Sequence, residues 1–580
     1  MKRWLVGTCA AAALAGCAAF PGAREPAGVR GPYDVLITDA MIYDGSGGAP
    51  FRGEVGIDGD RIAFVGPEAP SPGTVQIDAD GKAVAPGFIN MLSHAREELL
   101  HDGRAMSDVL QGVTLEVNSE ISYAPLNARM REELIAGQAD IRFDVPWSTI
   151  GQYLDQVERS GVSVNVATMV GLGAVREHEI GSQDVDPTPE QLARMRDLVR
   201  QAMEDGALGT SSALIYAPAS FAETPELIAL TGESARCGGL FAAHVRGEGG
   251  RLLTALDEMV QIARASGGPV HVHHLKQAGR ANWGLLDPAI ARIEAAQAAG
   301  LAVTADMYLY PAGATGLDAA MPTWVQAGGY EAWRKRLQDP ATRAKVIAEM
   351  RAEPVGWESL MQGAGAEGML LVGFKNPALK PLTGKTLAEV AKARGVSPEE
   401  AAIQLVVEDG SRVGTVYFLM SEDNVRRQTA LPWMSFGSDG SADAAEGPFL
   451  LYNPHPRAYG NFARLLGKYV REEKTMPLEE AVRKLTSFPA DILKLEDRGR
   501  LRPGAFADVV VFDPATIADH ATFATPHRYA TGVEHVLVNG VQVVRDGEHT
   551  GAKPGKAVRG RAWTGREGGG CRASAADWSR

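Results

Sequence analysis

The sequence PVHVHHL at residues 269–275 is a short apolar run that ends in histidines, and it follows a segment with helical periodicity at residues 251–266. Two other runs have the same form, GLFAAHV at residues 239–245 and WMSFGSDG at residues 433–440. A polar residue at the carboxyl end of a buried parallel strand points into the mouth of an α/β barrel. The three runs therefore predict that His244, His274 and Asp439 lie together at one end of such a barrel.

The central part of the chain contains eight runs of this kind, separated by segments such as residues 189–204 whose apolar positions recur with the period of a helix. The predicted strands are residues 87–92, 113–118, 162–170, 207–212, 241–245, 270–274, 302–308 and 434–438. Eight strand–helix units predict an α/β fold, a (β/α)8 TIM barrel over residues 86–496. The connection at residues 322–432 is predicted to contain its own helices at 386–394 and 398–409, because long structureless loops are uncommon.

Both ends of the chain have a different pattern, that of short strands at close spacing. They are residues 33–85 and residues 497–548, where Asn539-Gly540 is typical of a hairpin turn. We expect the two segments to pair into one small β-sandwich, with the barrel inserted between them. Residues 549–580 are rich in glycine and basic residues and are predicted to form a flexible tail.

The N-terminus has the pattern of a secretory signal peptide, in which Lys2 and Arg3 precede an apolar stretch. The sequence LAGC at residues 14–17 is similar to a bacterial lipobox, and an ordinary cleaved signal is the alternative. We expect residues 1–17 to direct export, with Cys17 lipidated as the membrane anchor. Residues 18–32 would be the linker. The predicted location is the bacterial cell envelope, on the periplasmic side or at the outer membrane.

The charge and the cysteine content argue against a nucleic-acid-binding protein and against a fold that depends on disulfide bonds. The formal net charge of −13 and the lack of a basic patch argue against a nucleic-acid partner. Of the four cysteines, only Cys237 and Cys571 remain if Cys9 is removed and Cys17 is lipidated. One lies in the barrel and the other in the predicted tail, so no disulfide bond is expected between them.

Two imidazoles and a carboxylate at the mouth of a barrel have the composition of a catalytic zinc site with its own base. A single histidine at a strand end is more often structural, but three such groups at three strand ends favour a site. His271 and His273 alternate with valines on the same run and are interpreted as barrel-wall residues instead of ligands.

Several longer motifs resemble those of one protein family. They are APGFI at 85–89, DGALG at 205–209, LIYAP at 214–218, HVRGE at 244–248, HLK at 274–276, GRANWG at 279–284, SDG at 438–440 and HPRAYG at 455–460. Together they make the chain similar to the amidohydrolase superfamily, and within it to the D-aminoacylase (N-acyl-D-amino-acid deacylase) branch. The resemblance extends over about residues 33–544 and implies the barrel and sandwich expected above.

The resemblance implies a His-x-His pair after strand one and a metal ligand after strand two. In this sequence the first histidine of the pair is replaced by Leu92, and only His94 remains. The ligand position after strand two corresponds to Glu120, with Glu116 as the alternative. A histidine typical of the family's third strand is replaced by Leu172.

The family's tightly bound metal uses the ligands after strands two, five and six, which here are Glu120, His244 and His274. The weaker second site is reduced to His94 and Asp439. The resemblance therefore implies one tightly bound divalent ion, expected to be Zn²⁺, although the same ligands accept manganese or iron. Asp439 is the expected catalytic base and acid, and His94 is its catalytic partner.

The remaining site residues are assigned to the substrate. Arg457 is expected to bind a substrate carboxylate, because a guanidinium pairs with a carboxylate through two hydrogen bonds. Lys276 and Tyr216 occupy positions that line the family's substrate pocket, with Tyr308 or Tyr310 beside them. These residues predict binding of a small-molecule N-acyl amino acid.

The predicted function is therefore a metal-dependent hydrolase of carbon–nitrogen bonds other than peptide bonds. It would cleave N-acyl amino acids, D-configured if the resemblance extends to stereochemistry, to a free amino acid and a carboxylate. One alternative is a related amidohydrolase acting on a cyclic amide or a dipeptide. The other is a barrel that binds a ligand without turnover. Ala314 replaces a serine of the family's substrate pocket. This replacement removes one hydroxyl donor, so it affects which substrate is bound more than which reaction is catalysed.

Overall fold

The computed structural model describes residues 31–571, and its centre is a closed barrel of eight parallel strands. Barrel strands one to eight are Phe88–Ser93, Val113–Asn118, Asn165–Thr168 with its continuation Val170–Gly171, Gly209–Ala213, Leu240–His244, Val270–Val272, Val303–Met307 and Met434–Phe436. Neighbouring strands pair in parallel, and a bridge between Ser93 and Gly440 closes the barrel. Each predicted strand overlaps an observed one, and the predicted fold class is confirmed.

Amphipathic helices surround the barrel. They are Glu97–His101, Met106–Val109, Ala128–Gly137, Ile150–Ser160, Leu172–Ile180, Pro189–Asp205, Thr224–Arg236, Leu252–Ser266, Leu286–Ala298, Arg457–Arg464, the π-helix Leu465–Glu472, Leu478–Leu485 and Ser487–Ile492. Helix Pro189–Asp205 illustrates the local signals that set these bounds. Thr188 and Gln191 form a reciprocal capping box at its start, and Gly206 ends it in the left-handed conformation with φ of 116°.

The connection between strands seven and eight forms a small unit over the mouth of the barrel. Its helices are Tyr330–Gln338, Pro340–Arg351, Leu360–Ala364, Leu387–Arg394, Pro398–Asp409 and Glu422–Thr429. The two helices predicted in this connection correspond to Leu387–Arg394 and Pro398–Asp409. A three-stranded antiparallel sheet of Gly313–Gly316, Gly414–Tyr417 and Met369–Gly373 was not predicted, because its strands are short and far apart in sequence.

The two terminal segments pair with each other as predicted, and the strands of this small β domain belong to one nine-stranded hydrogen-bonded sheet. Its strands are Tyr33–Ile42, Phe51–Asp58, Arg61–Gly66, Gly73–Asp78, Ala83–Pro86, Val509–Phe512, Val533–Val538, Val541–Arg545 and Glu548–His549. The two halves meet where Ala83–Pro86 pairs antiparallel with Val509–Phe512. Buried aliphatic side chains from both halves form a separate core on this sheet.

The prediction of a flexible tail is wrong for residues 549–571, which pack against the barrel. Ala557 pairs with Val166, and the N–H of Gly560 donates to the carbonyl oxygen of Gly206 at 2.9 Å. Glycine makes this packing possible, because a Cβ at Gly555 would lie 2.0 Å from the carbonyl oxygen of Val164. The glycines of this segment, which are typical of a solvated tail, here allow its backbone to pack closely against the barrel.

The expectation that Cys237 and Cys571 stay unpaired is also wrong, because the two form a disulfide bond. The packed C-terminal segment brings Cys571 to the end of helix Thr224–Arg236, where Cys237 is buried. The bond joins residues 334 positions apart and attaches the C-terminal segment to the barrel.

The predictions for the signal peptide, for lipidated Cys17 and for most of the linker fall outside the described residues. Within residues 31–571, no helix has both the length and the hydropathy that crossing a membrane requires.

Candidate metal centre and active site

The three side chains predicted as metal ligands lie together at the mouth of the barrel. His244 ends strand five, and Glu120 and His274 follow the ends of strands two and six. Glu120 Oε1 lies 2.7 Å from His274 Nε2 and 3.8 Å from His244 Nδ1. One ligand atom from each of the three buried residues lies within 4.8 Å of the other two. Two imidazoles and one carboxylate at this separation fit a four-coordinate divalent ion with one open position.

The backbone at these strand ends is strained. Glu120 has φ of 63°, His274 has φ of 34° and Asp439 has φ of 49°, all in the left-handed region. A non-glycine residue there costs on the order of 1–3 kcal/mol and persists only where its surroundings hold it. The chain accepts this cost at three neighbouring positions of the mouth, which is typical of a functional site.

Glu248 lies behind both histidines, and no role was predicted for it. Its Oε1 accepts a hydrogen bond from Lys276 Nζ at 2.6 Å and lies 3.0 Å from His274 Nδ1, while Oε2 lies 3.4 Å from His244 Nε2. The nitrogens that face Glu120 are therefore the opposite ones, His244 Nδ1 and His274 Nε2. A carboxylate behind a metal-binding histidine fixes the tautomer whose free nitrogen binds the ion.

Opposing charges inside this group control its protonation. Burial raises the pKa of Glu120, but the neighbouring His274 and the hydrogen bond from it outweigh burial and lower that pKa to about 2. Burial and Lys276 lower the pKa of His274, but the carboxylates of Glu248, Asp439 and Glu120 raise it to about 10. Burial lowers the pKa of His244 to about 4. A metal ion therefore has to displace the proton of His274.

His94 and Asp439 lie beside the ligand group. His94 Nε2 lies 2.8 Å from Asp439 Oδ1 and 3.5 Å from Glu120 Oε2, and Arg96 Nη2 donates to His94 Nδ1 at 3.1 Å. Because Nδ1 accepts from Arg96, Nε2 carries the proton and donates it to Asp439. Ligand atoms of His94, Glu120 and Asp439 also lie within 4.8 Å of one another. The second metal position thus has three potential ligands, because Glu120 lies beside the two residues expected from sequence, His94 and Asp439.

Arg457 lies next to Asp439 and has unused hydrogen-bonding capacity. Its Nη1 lies 2.8 Å from Asp439 Oδ2, but the N–H is not directed at that oxygen, so buried Nη1 and Nε lack hydrogen-bond acceptors. Burial raises the pKa of Asp439, but Arg457, His274 and the hydrogen bond from His94 hold it well below its usual range. Asp439 is therefore an ionised base at neutral pH, and the guanidinium beside it can still bind an anion.

The alternative ligand Glu116 lies elsewhere in the barrel. Its Oε2 accepts a hydrogen bond from Asn90 Nδ2 at 2.8 Å, and Asn90 also bonds Ser438. Burial raises the pKa of Glu116 to about 7, although hydrogen bonds from Ser93 and Asn90 oppose the shift. Of the two glutamates, the structure therefore brings only Glu120 to the histidines.

The residues predicted to bind substrate line a cavity of about 170 Å³ above the ligand group. The Tyr216 ring packs edge-on against His244, and the Arg457 guanidinium lies over the Tyr308 ring at 4.4 Å. Lys276 borders the same cavity. Tyr310, the alternative to Tyr308, instead donates to Asp519 Oδ2 at 3.1 Å.

Arg412 also lines this cavity and was not predicted. It enters from the small sheet over the mouth, its Nε donates to Asp318 at 2.9 Å, and its guanidinium lies 4.9 Å from the Tyr216 ring. A larger cavity of about 460 Å³ adjoins the first, and the two share His94, Ala314, Asp439 and Arg457. The reacting centre thus lies between a polar pocket and a roomier one.

Comparison with known proteins agrees with this geometry. Residues 76–544 match the family model described as the amidohydrolase family. The chain belongs to the amidohydrolase family. It is 34% identical over 532 residues to a D-aminoacylase of Alcaligenes xylosoxydans xylosoxydans, covering 91% of this chain and 98% of the relative. The resemblance to the D-aminoacylase branch is confirmed.

Two solved structures are similar over 91% of this chain and 100% of their own. A D-aminoacylase studied for its binuclear metal centre, described as showing one-metal activation and second-metal attenuation, has a TM-score of 0.76 at 33% identity. The N-acyl-D-glutamate deacylase of Bordetella bronchiseptica, solved with zinc and a phosphonate that mimics the tetrahedral intermediate, has a TM-score of 0.74 at 30% identity.

Two positions distinguish this amidohydrolase from the pattern that its motifs imply. Leu92 is fully buried at the end of strand one, and its carbonyl oxygen accepts the N–H of Asp439 at 2.9 Å. Leu172 is buried at the start of helix Leu172–Ile180. Leu92 therefore replaces a potential ligand with hydrocarbon, whereas Leu172 packs into the main hydrophobic core.

Proposed function

We propose that the protein is a metal-dependent amidohydrolase that cleaves N-acyl-D-amino acids to the free amino acid and a carboxylate. The observation that supports this most directly is the position of Arg457, whose buried Nη1 and Nε have no hydrogen-bond acceptor and lie next to ionised Asp439 at the metal-ligand group. An acylamino acid has the two matching groups, an amide and a carboxylate. The D-configuration follows the names of the similar proteins.

The metal would be Zn²⁺, held by Glu120, His244 Nδ1 and His274 Nε2. When bound there, zinc lowers the pKa of water to about 7 and polarises a carbonyl group. Glu248 lies beside the nitrogens of both histidines that would not face the ion, 3.0 Å from His274 Nδ1 and 3.4 Å from His244 Nε2. His244 Nδ1 and His274 Nε2 face Glu120, and a bound ion would displace the proton that His274 Nε2 donates to Glu120.

Asp439 would accept the proton of the attacking water and return it to the leaving nitrogen. His94 donates to Asp439 Oδ1, Arg457 Nη1 lies 2.8 Å from Oδ2, and Arg96 fixes the tautomer of His94. Arg457 would bind the substrate carboxylate, with Lys276, Tyr216 and Tyr308 forming the wall around it.

We further propose that one metal ion per chain is tightly bound. Leu92 removes an imidazole from the second position, and the Arg457 guanidinium already places a positive charge 2.8 Å from Asp439 Oδ2. A second cation would compete with that guanidinium for the same carboxylate. The remaining group of His94, Glu120 and Asp439 would bind a second ion only weakly.

A substrate panel tests the function. Purified protein reconstituted with Zn²⁺ should release amino acid from N-acyl-D-amino acids and release far less from the L-enantiomers, measured by chiral chromatography. Matched cyclic amides and dipeptides serve as controls. Turnover confined to the cyclic amides or dipeptides, or no turnover in protein that holds its metal, would contradict the proposal.

We propose an extracytoplasmic location, with Cys17 as the lipid anchor. The Cys237–Cys571 disulfide bond supports this location, because structural disulfides persist in oxidising compartments. Cys17→Ser should release the protein from the membrane fraction or leave an unprocessed precursor. Unchanged membrane fractionation of a Cys17→Ser variant that is still processed would contradict the anchor.

A further inference from the structure

A second group of polar side chains lies beneath the candidate metal centre, inside the barrel. Asp306 projects from strand seven and is fully buried. Its Oδ2 accepts hydrogen bonds from His271 Nε2 at 3.0 Å and from His273 Nδ1 at 2.7 Å. We call these three residues, together with Ser119 and Thr304, the floor network. The two histidines, interpreted from sequence as wall residues, are thus part of a connected buried group.

Every ring nitrogen of the floor network has a partner. His273 Nε2 lies 2.7 Å from Ser119 Oγ, and His271 Nδ1 lies 2.7 Å from Thr304 Oγ1. Because an ionised carboxylate only accepts, the nitrogens facing Asp306 carry protons. His271 Nδ1 is hydrogen-bonded to Thr304 Oγ1 and His273 Nε2 to Ser119 Oγ, which also lies 3.4 Å from Met169 Sδ. Although atoms of His271, His273 and Asp306 lie within 4.8 Å of one another, none is left free to bind a metal ion.

The floor network reaches two of the three candidate ligands through the backbone. Asp306 Oδ1 accepts the backbone N–H of His274 at 2.7 Å, and Ser119 immediately precedes Glu120. These are the two ligands in the left-handed conformation, with φ of 34° and 63°. One hydrogen-bonded chain from Ser119 through His273 to Asp306 therefore connects both strained segments below the metal position.

We propose that Asp306 and His273 are positioning residues that hold Glu120 and His274 in the arrangement that binds the metal ion. The inference rests on the metal centre of the proposed function. Strained backbone persists only where surrounding contacts fix it, and partners of metal ligands commonly change metal affinity when removed. The floor network thus sets the affinity for the metal without touching the ion or the substrate.

The experiment measures Zn²⁺ affinity by competition with a chromophoric chelator in Asp306→Asn, Ser119→Ala and wild type. Asp306→Asn keeps the side-chain shape, but its amide group donates where the carboxylate accepted. We expect about 10–100-fold weaker Zn²⁺ binding in Asp306→Asn. The visible absorption spectrum of the Co²⁺-substituted variant should also change. Ser119→Ala should weaken binding by a smaller factor, and it provides the test if Asp306→Asn does not fold.

Thr304→Val is the matched control, because it removes the hydroxyl at the end of the floor network that is far from both ligands. We expect its Zn²⁺ affinity to stay within about twofold of wild type, even if its metal-free form unfolds earlier. Wild-type affinity in both Asp306→Asn and Ser119→Ala, with only thermal stability reduced, would overturn the inference. Metal affinity is measured without substrate, so this test does not depend on turnover. A wild-type protein that binds Zn²⁺ but shows no turnover would contradict the proposed function, and the comparison of metal affinities would still test this inference.

Discussion

The candidate metal centre has two halves, the ligand group of Glu120, His244 and His274 and the neighbouring group of His94, Asp439 and Arg457. They differ in how many potential metal ligands each one holds. On one side, Glu120, His244 and His274 are buried, and Glu248 lies behind both histidines. On the other side, Leu92 replaces the expected imidazole, so that an arginine contributes the positive charge beside the carboxylate. The first half holds a complete set of metal ligands. The second, which we call the adapted half, holds His94, Asp439 and Arg457, to which the proposed function assigns proton transfer and substrate binding.

The largest expected effect comes from the base of the adapted half. Asp439→Asn removes the proton acceptor but leaves Glu120, His244 and His274 in place. The kcat should fall by about 10²–10⁴-fold, while metal content stays at that of the wild type. Steady-state kinetics and elemental analysis measure the two quantities. Asp443→Asn, a buried aspartate four residues away, is the matched control, and near-normal kcat in Asp439→Asn would contradict the assignment.

A smaller effect is expected at the substrate end of the adapted half. Arg457→Met should raise KM by about 10–100-fold, because a hydrogen bond to a charged group contributes about 1.5–3 kcal/mol. The penalty should shrink for substrates whose carboxylate is amidated. Arg464→Met, on the same helix but bonded to Asp519, serves as the control. Equal penalties for acids and amides would show that Arg457 does not bind the carboxylate.

Restoring the missing imidazole at position 92 should give the adapted half its own metal-binding capacity. Leu92→His returns an imidazole next to His94 and Asp439 and should allow a second, weaker metal ion to bind. Isothermal titration with Zn²⁺ measures the added site, and the expected change in kcat is only a few-fold, roughly 1 kcal/mol or less. Leu92→Met controls for the altered packing. A variant that still binds one ion would mean that Arg457, and not the missing histidine, excludes the second.

An effect on stability and not on turnover is expected at Glu116, which lies within strand two and away from the metal ligands. The pKa of Glu116 is about 7 in the folded protein, above its ordinary value, because of burial. The folded state therefore binds the proton more tightly than the unfolded chain, so unfolding free energy falls as pH rises from about 4.5 to about 7. Glu116→Gln should remove roughly 1–3 kcal/mol of this decline. Denaturant unfolding at pH 5 and pH 7 measures the decline in unfolding free energy. An equal decline in wild type and in Glu116→Gln would contradict the raised pKa of Glu116.

The barrel and its ligand residues could be predicted because their signals are local. Apolar runs that end in His244, His274 and Asp439 mark strand ends, and parallel strands bring those ends to one face. Glu120, which the family resemblance implies as a ligand, lies just beyond the end of strand two, whereas Glu116 lies within the strand.

The features that were missed depend on contacts between distant segments. Glu248 lies within the quoted HVRGE motif, but its role appears only when strand six places Lys276 and His274 beside it. Arg412 reaches the cavity through a small sheet whose strands come from three separate segments. The tail was mispredicted because glycine-rich composition does not distinguish a solvated chain from one that packs closely against a barrel.

Metal stoichiometry tests the central difference between the two halves most directly. Metal-free protein is titrated with Zn²⁺ while bound metal and hydrolysis of an N-acyl-D-amino acid are recorded together. The account predicts that one equivalent binds tightly and gives full activity, and that further Zn²⁺ binds only weakly. Two tightly bound ions per chain, or full activity in protein that holds none, would contradict it.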